Sequence, residues 1–140
     1  MKLRLVLIPL LLFTLTACGS SGKPKTFFEQ EGPLPEEIVN YAQQLLPNGE
    51  DPNLVPLVQR NFLEGCMIGG ENRGSSISTK AMASACACAY EDLLKYVRQV
   101  TATENAAFEL FDQLDKSLRE DAGYATLGSD YKEIFDRCLS

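Results

Sequence analysis

The stretch Ser84-Ala85-Cys86-Ala87-Cys88-Ala89-Tyr90 decides the fold expected for this chain. It lies inside a segment, from about Ser78 to Val100, whose apolar side chains recur at helical spacing. Residues two apart on an α-helix point about 200° apart, because the helix turns by about 100° per residue. Cys86 and Cys88 therefore face opposite sides of the helix, and each needs a partner from a different neighbouring segment.

Two further cysteines, Cys66 and Cys138, are available as those partners. Cys66 lies late in a helix predicted over about 54–67, and a short link makes this helix and the next an antiparallel hairpin. Cys66 then comes level with the early turns of the following helix, nearer to Cys86 than to Cys88. We therefore favour disulfides Cys66–Cys86 and Cys88–Cys138, and the swapped pairing stays open because predicted boundaries are uncertain.

The N-terminus has the parts of a signal peptide of an exported protein. Lys2 and Arg4 give a positive start, and residues 5–15 form an apolar run. That run is shorter than the roughly 20 residues of a membrane-spanning helix. Leu15-Thr16-Ala17-Cys18 follows, and this motif resembles the lipobox of bacterial lipoproteins. The alternative is an ordinary secretory signal with a chance cysteine at the cleavage site.

The resemblance implies cleavage before Cys18 and lipidation of Cys18, so that acyl chains anchor the mature chain to a membrane outside the cytoplasm. Gly19, rather than an aspartate, follows the cysteine. In a Gram-negative cell this implies the outer membrane, and in a Gram-positive cell the outer face of the plasma membrane.

Charge and cysteine content bound the function of the mature chain. Loss of Lys2 and Arg4 changes the net charge from −6 to −8. An acidic chain without a basic stripe is a poor nucleic-acid binder, because phosphate contacts dominate that affinity. Four cysteines remain after Cys18, and an even number in an exported chain is typical of a disulfide framework.

The periodicity predicts an all-α fold, a small disulfide-stapled bundle of about five helices. Three regions are expected: a cleaved signal peptide over 1–17, a lipidated flexible tether over 18–32, and the helical domain over 33–140. Phe27-Phe28 interrupts the tether, either as a segment that docks onto the domain or as a short partner-binding motif.

Local signals place the individual helices. Leu34, Ile38, Tyr41 and Leu45 fall on one stripe at helical spacing in the first helix, which Pro47 ends. The second helix runs from about Leu54 until Gly69-Gly70 ends it. Ser78 is the expected N-cap of the third helix, and Thr101 with Glu104 forms a capping box for the fourth.

The residues offer little for catalysis, so we expect no enzyme, no cofactor and no metal. The chain contains no histidine, which removes the usual Ser-His and Cys-His arrangements. The cysteine spacing does not suit zinc, whose paired ligands usually come as C-x₂₋₄-C. A redox-active Cys86-Ala87-Cys88 is disfavoured by the following carboxylates Glu91 and Asp92, since reactive thiols need a lowered pKa.

Two hypotheses for function remain. The first is a non-enzymatic cell-envelope lipoprotein that presents a rigid helical surface to a protein partner. The second is a helical module that binds a lipid or small apolar ligand between its helices. An exposed apolar patch favours the first hypothesis, and an uninterrupted apolar cavity favours the second.

Overall fold

The computed structural model describes residues 25–72, 76–120 and 128–140, and within these ranges it is helical and contains no strand. A short 3-10 turn is followed by five α-helices: η1 (Phe27–Glu29), α1 (Glu36–Gln44), α2 (Leu57–Asn72), α3 (Thr79–Val100), α4 (Glu104–Arg119) and α5 (Ser129–Leu139). The predicted fold class, a disulfide-stapled helical bundle, is confirmed. The predicted signal peptide and Cys18 lie outside the described residues. No described helix is long and apolar enough to span a membrane.

Helix α3 is the central element, and α2, α4 and α5 all pack against it. Its inward face includes Cys86, Leu93 and Val97, whose side chains are completely buried. The helix begins where the sequence predicts, because the Ser78 hydroxyl accepts a hydrogen bond from the Ala81 amide at 3.3 Å. Because α3 has apolar residues on several sides, three other helices can pack around it. This packing sets the arrangement of the bundle.

Two disulfide bonds fasten these neighbours to α3. Cys66–Cys86 joins α2 to α3 and Cys88–Cys138 joins α5 to α3, with Cα atoms 5.9 and 5.7 Å apart. These are the two pairs that the hairpin argument favours. The divergence of Cys86 and Cys88 around α3 therefore holds two helices on different sides of it.

Helix α2 starts later and ends later than its sequence predicts. It begins at Leu57 rather than Leu54, and it continues through Gly69 and Gly70. Gly70 packs against the Met82 side chain of α3 instead of ending the helix, since a Cβ added there would lie 2.5 Å from Cε of Met82. The prediction that the two glycines end the helix is wrong for this reason.

The link between α3 and α4 also differs from its predicted form. Thr103, not Thr101, caps α4, because its hydroxyl accepts from the Ala106 amide at 3.2 Å. The Thr101 hydroxyl instead donates to the Val97 carbonyl at 2.7 Å and satisfies the C-terminal end of α3. One threonine therefore ends a helix and the other begins the next.

The packed part of the chain begins before Pro33, the predicted domain boundary. Phe28 is only 3% exposed, and its ring centroid lies 5.8 Å from that of Phe108 and 5.6 Å from that of Phe111. The Arg98 guanidinium lies 5.2 Å from the centre of the Phe28 ring, which adds a cation–π contact. Residues 25–32, expected as part of the tether, thus lie against the bundle because an aromatic side chain anchors them.

Candidate binding groove between α1 and α2

Helix α1 exposes part of the apolar stripe that its helical spacing predicts. Leu45 and Leu46 are buried, but Ile38 is 44% and Tyr41 47% exposed. The spacing predicts that these side chains share one face of α1, and among the described residues a groove between α1 and α2 leaves Ile38 and Tyr41 partly uncovered.

The groove is small and mostly apolar. Its volume is about 150 Å³. The α1 side presents Ile38 and Tyr41, and the α2 side presents Leu57, which is itself 39% exposed. The remaining lining residues are apolar or polar in about equal number: Leu34, Ala42, Leu45, Arg60, Asn61 and Glu64. Three large side chains from two helices therefore meet at one partly open surface.

One wall of the groove is fixed by backbone contacts of the segment before α1. The Leu57 amide donates to the Gln30 carbonyl at 2.8 Å, and the Leu34 amide donates to Oδ1 of Asn53 at 2.9 Å. Gly32 approaches Leu57 so closely that a Cβ at this position would lie 3.3 Å from Cδ2 of Leu57. These contacts hold the segment, and with it the start of α1, in place beside α2.

The groove also reaches a buried cation, Arg60, whose residue surface is only 7% exposed. Nη2 of Arg60 donates to the Gly32 carbonyl at 2.7 Å, whereas Nε and Nη1 are enclosed and have no hydrogen-bond partner among the described residues. Glu64 lies one turn further along α2 but does not pair with Arg60. A buried charge without a partner is costly, so this guanidinium stands out among the described polar groups.

A second candidate is an apolar cavity beside the Cys66–Cys86 bond. It has a volume of about 200 Å³ and lies between α2, α3 and α5, with Met82, Phe135 and Leu139 in its walls. Sites for drug-sized ligands usually enclose about 300 to 1,000 Å³. The cavity is therefore smaller than such a site.

A third candidate is a polar groove of about 310 Å³ between α3 and α5. Asp92 lies in it and accepts hydrogen bonds from Arg137 at 2.9 Å and from Lys95 at 3.2 Å. These donors hold the pKa of the Asp92 carboxyl below its usual value. The charges in this groove thus pair with each other and tie α5 to α3.

The same region contains three possible metal ligands. The Sγ atoms of Cys88 and Cys138 and a carboxylate oxygen of Asp92 all lie within 4.8 Å of one another. Both sulfur atoms belong to one disulfide, and it is the thiolate that ligates metals. In the oxidised protein the two cysteines therefore form a covalent bond between α3 and α5.

No protein-family model matches this chain, and no curated protein or solved structure matches it. Among the surfaces of the described residues, the α1–α2 groove combines exposed apolar side chains with a buried cation that lacks a counter-ion. Sequence reasoning missed Arg60. A signal was present, since Leu63 and Met67 follow Arg60 at helical spacing and are both buried, which places the arginine on an apolar face of α2.

Proposed function

We propose that this protein is a non-enzymatic lipoprotein of the bacterial cell envelope that binds a protein partner through the α1–α2 groove. One observation carries the proposal: Ile38, Tyr41 and Leu57 are 39–47% exposed and line the same groove. Clustered apolar side chains on a soluble domain mark interaction sites more often than singly scattered ones do. Tyrosine is also among the residues that most often dominate binding energy at interfaces.

The Cys66–Cys86 disulfide supports this function because it makes the α2 wall of the groove rigid. A rigid surface loses less conformational entropy on binding than a mobile one, which leaves more of the contact energy as affinity. Cys66–Cys86 fixes α2, which carries Leu57 and Arg60, against the central helix α3. The α2 wall of the groove is therefore covalently fastened to the central helix, and hydrogen bonds of residues 30 and 34 position the start of α1 beside it.

The alternative function is binding of a small apolar ligand in the cavity beside Cys66–Cys86. The apolar side chains of Met82, Phe135 and Leu139 in its walls favour such a ligand. Its volume of about 200 Å³ suits a small molecule better than a lipid with full-length acyl chains.

The surface is tested with the anchored protein and two matched variants. Membranes from cells that express wild type, Tyr41→Ser or Val100→Ser are treated with a cleavable crosslinker, and the captured proteins are identified by mass spectrometry. Val100 is 53% exposed and does not line the groove, so it controls for the loss of an exposed apolar side chain. We expect one partner to be recovered with wild type and Val100→Ser and lost with Tyr41→Ser. Equal recovery with all three proteins contradicts the proposal.

The lipid anchor is tested separately with Cys18→Ser. The variant should fold normally and leave the membrane fraction, because lipid on Cys18 is the proposed attachment and stable anchoring takes more than one acyl chain. Fractionation after a salt wash measures this, with circular dichroism as the folding control. A Cys18→Ser protein that stays fully in the washed membranes contradicts the lipobox interpretation.

A further inference from the structure

We propose that the α1–α2 groove recognises a peptide segment with an acidic side chain between apolar side chains, and that the acid pairs with Arg60. This inference deepens the proposed function and rests on it. It joins two properties of the groove, its exposed apolar lining and a buried Arg60 guanidinium with two nitrogen atoms unpaired among the described residues.

The size of the groove selects the kind of ligand. A volume of about 150 Å³ is about half the lower limit for a drug-sized ligand, which is about 300 Å³. It admits one or two inserted side chains, but not the length of a fatty acyl chain. Peptide segments bind grooves in this way, through a few apolar anchor side chains surrounded by weaker contacts. Ile38, Tyr41 and Leu57 provide the contact surface for such anchors.

The charge of Arg60 selects the polar group. A guanidinium has five N–H donors and matches the two oxygens of a carboxylate, and the Gly32 carbonyl accepts the bond from Nη2. Nε and Nη1 have no acceptor among the described residues. A neutral apolar segment leaves these donors unpaired, whereas a carboxylate neutralises the charge and accepts two hydrogen bonds.

The Arg60 side chain must move before it can pair with the acid of the peptide, because Nε and Nη1 are enclosed in the unliganded protein. Among the described residues the guanidinium has a single hydrogen bond, to the Gly32 carbonyl, so it turns towards the groove when a better acceptor enters. Glu64 at the groove repels anions, and this repulsion grows with the charge of the ligand, so a peptide with one acidic side chain is disfavoured less than a nucleic acid.

The test is a selection of random 12-residue peptides displayed on phage against the full mature protein in detergent. We expect the enriched peptides to contain an aspartate or glutamate flanked by apolar residues. Each peptide is then synthesised in two forms, with the acid and with the corresponding amide, and the Kd of each form is measured with the wild-type protein. The amide form should bind at least about 10-fold more weakly, since charge-assisted hydrogen bonds are lost. This comparison leaves the protein unchanged, so it does not depend on the folding of an Arg60 variant.

Arg60→Gln provides the complementary measurement wherever circular dichroism shows that it folds. It should bind the acid and amide forms with similar Kd values. Tyr41→Ser separates the two proposals. Peptides that need Tyr41 but bind equally well as acid and amide overturn the pairing with Arg60 and leave the proposed function standing. Both proposals are overturned if the peptides bind equally well to Tyr41→Ser and in the acid and amide forms. They are also overturned if the selection enriches no peptide. If decanoate displaces the peptide and binds with higher affinity than the peptide does, the groove is assigned to a fatty acid instead.

Discussion

Removal of the Cys88–Cys138 bond should free α5 while the rest of the bundle stays folded. The perturbation is the double substitution Cys88→Ser with Cys138→Ser, which avoids a free thiol. The bond spans 50 residues of sequence, and loop-closure entropy then contributes roughly 4 kcal/mol to the free energy of unfolding. This is a large part of the total for a small domain, which is usually about 5 to 15 kcal/mol.

What remains to hold α5 is the burial of two side chains and an edge-to-face contact of Tyr131 with Tyr96, whose ring centroids lie 5.0 Å apart. Ile134 and Phe135 are 5% and 8% exposed, and each contributes about 2 kcal/mol when fully covered. The exposed pair of Arg137 with Asp92 adds at most about 1 kcal/mol. A helix of 11 residues is marginal without tertiary contacts, so these terms leave α5 only weakly attached.

Limited trypsin digestion and amide hydrogen exchange measure this detachment. Lys132 and Arg137 place two trypsin sites within α5, and both should be cut first in the variant. The matched control is Cys66→Ser with Cys86→Ser, which opens a 20-residue loop worth roughly 3 kcal/mol and should loosen α2 instead. Wild-type protection of the α5 amides in the Cys88/Cys138 variant, or uniform loss of protection across the bundle, would refute the reasoning.

Two further predictions follow from packing and charge. Phe28→Ala should lower the free energy of unfolding by about 3 kcal/mol in urea titrations, since it removes a buried ring. Phe27→Ala, at 43% exposure, should cost less than half as much, and a loss for Phe28→Ala no larger than that for Phe27→Ala contradicts the buried position of Phe28. Arg137 and Lys95 lower the pKa of Asp92 in the folded protein. The contribution of ionised Asp92 to the free energy of unfolding is therefore present above the unfolded-state pKa of about 3.9, and it disappears as the pH falls through the folded-state pKa. Asp92→Asn should flatten the stability profile in that acidic range, and an unchanged profile rules out this contribution.

The central part of the fold follows from local geometry, which is why the sequence predicts it. The angle between residues two apart on a helix sends Cys86 and Cys88 to different partners, whatever the rest of the chain does. The capping hydroxyl of Ser78 likewise acts on its own helix. The disulfide pairs then follow from the short link between α2 and α3, because a hairpin leaves few alternatives.

The groove depends on information that periodicity does not contain. The spacing of Ile38 and Tyr41 predicts one apolar face on α1, but not whether another element covers that face. Gly70 looks like a helix end in sequence and acts as a contact surface for Met82 in the structure. Arg60 is hidden by the backbone of Gly32, a contact between segments 28 residues apart. Long-range packing of this kind decides where an apolar stripe becomes a binding surface.

Photo-crosslinking in living cells tests the proposed partner surface most directly. A photo-reactive phenylalanine analogue is placed at position 41 or 57 in the groove, or at position 100 as the control, and the cells are irradiated. Position 100 is as exposed as the groove positions but lies outside the groove. The same protein adduct should form from positions 41 and 57 and be absent from position 100. Adducts of equal yield from all three positions, or from position 100 alone, would contradict the assignment of the α1–α2 groove as the partner-binding surface.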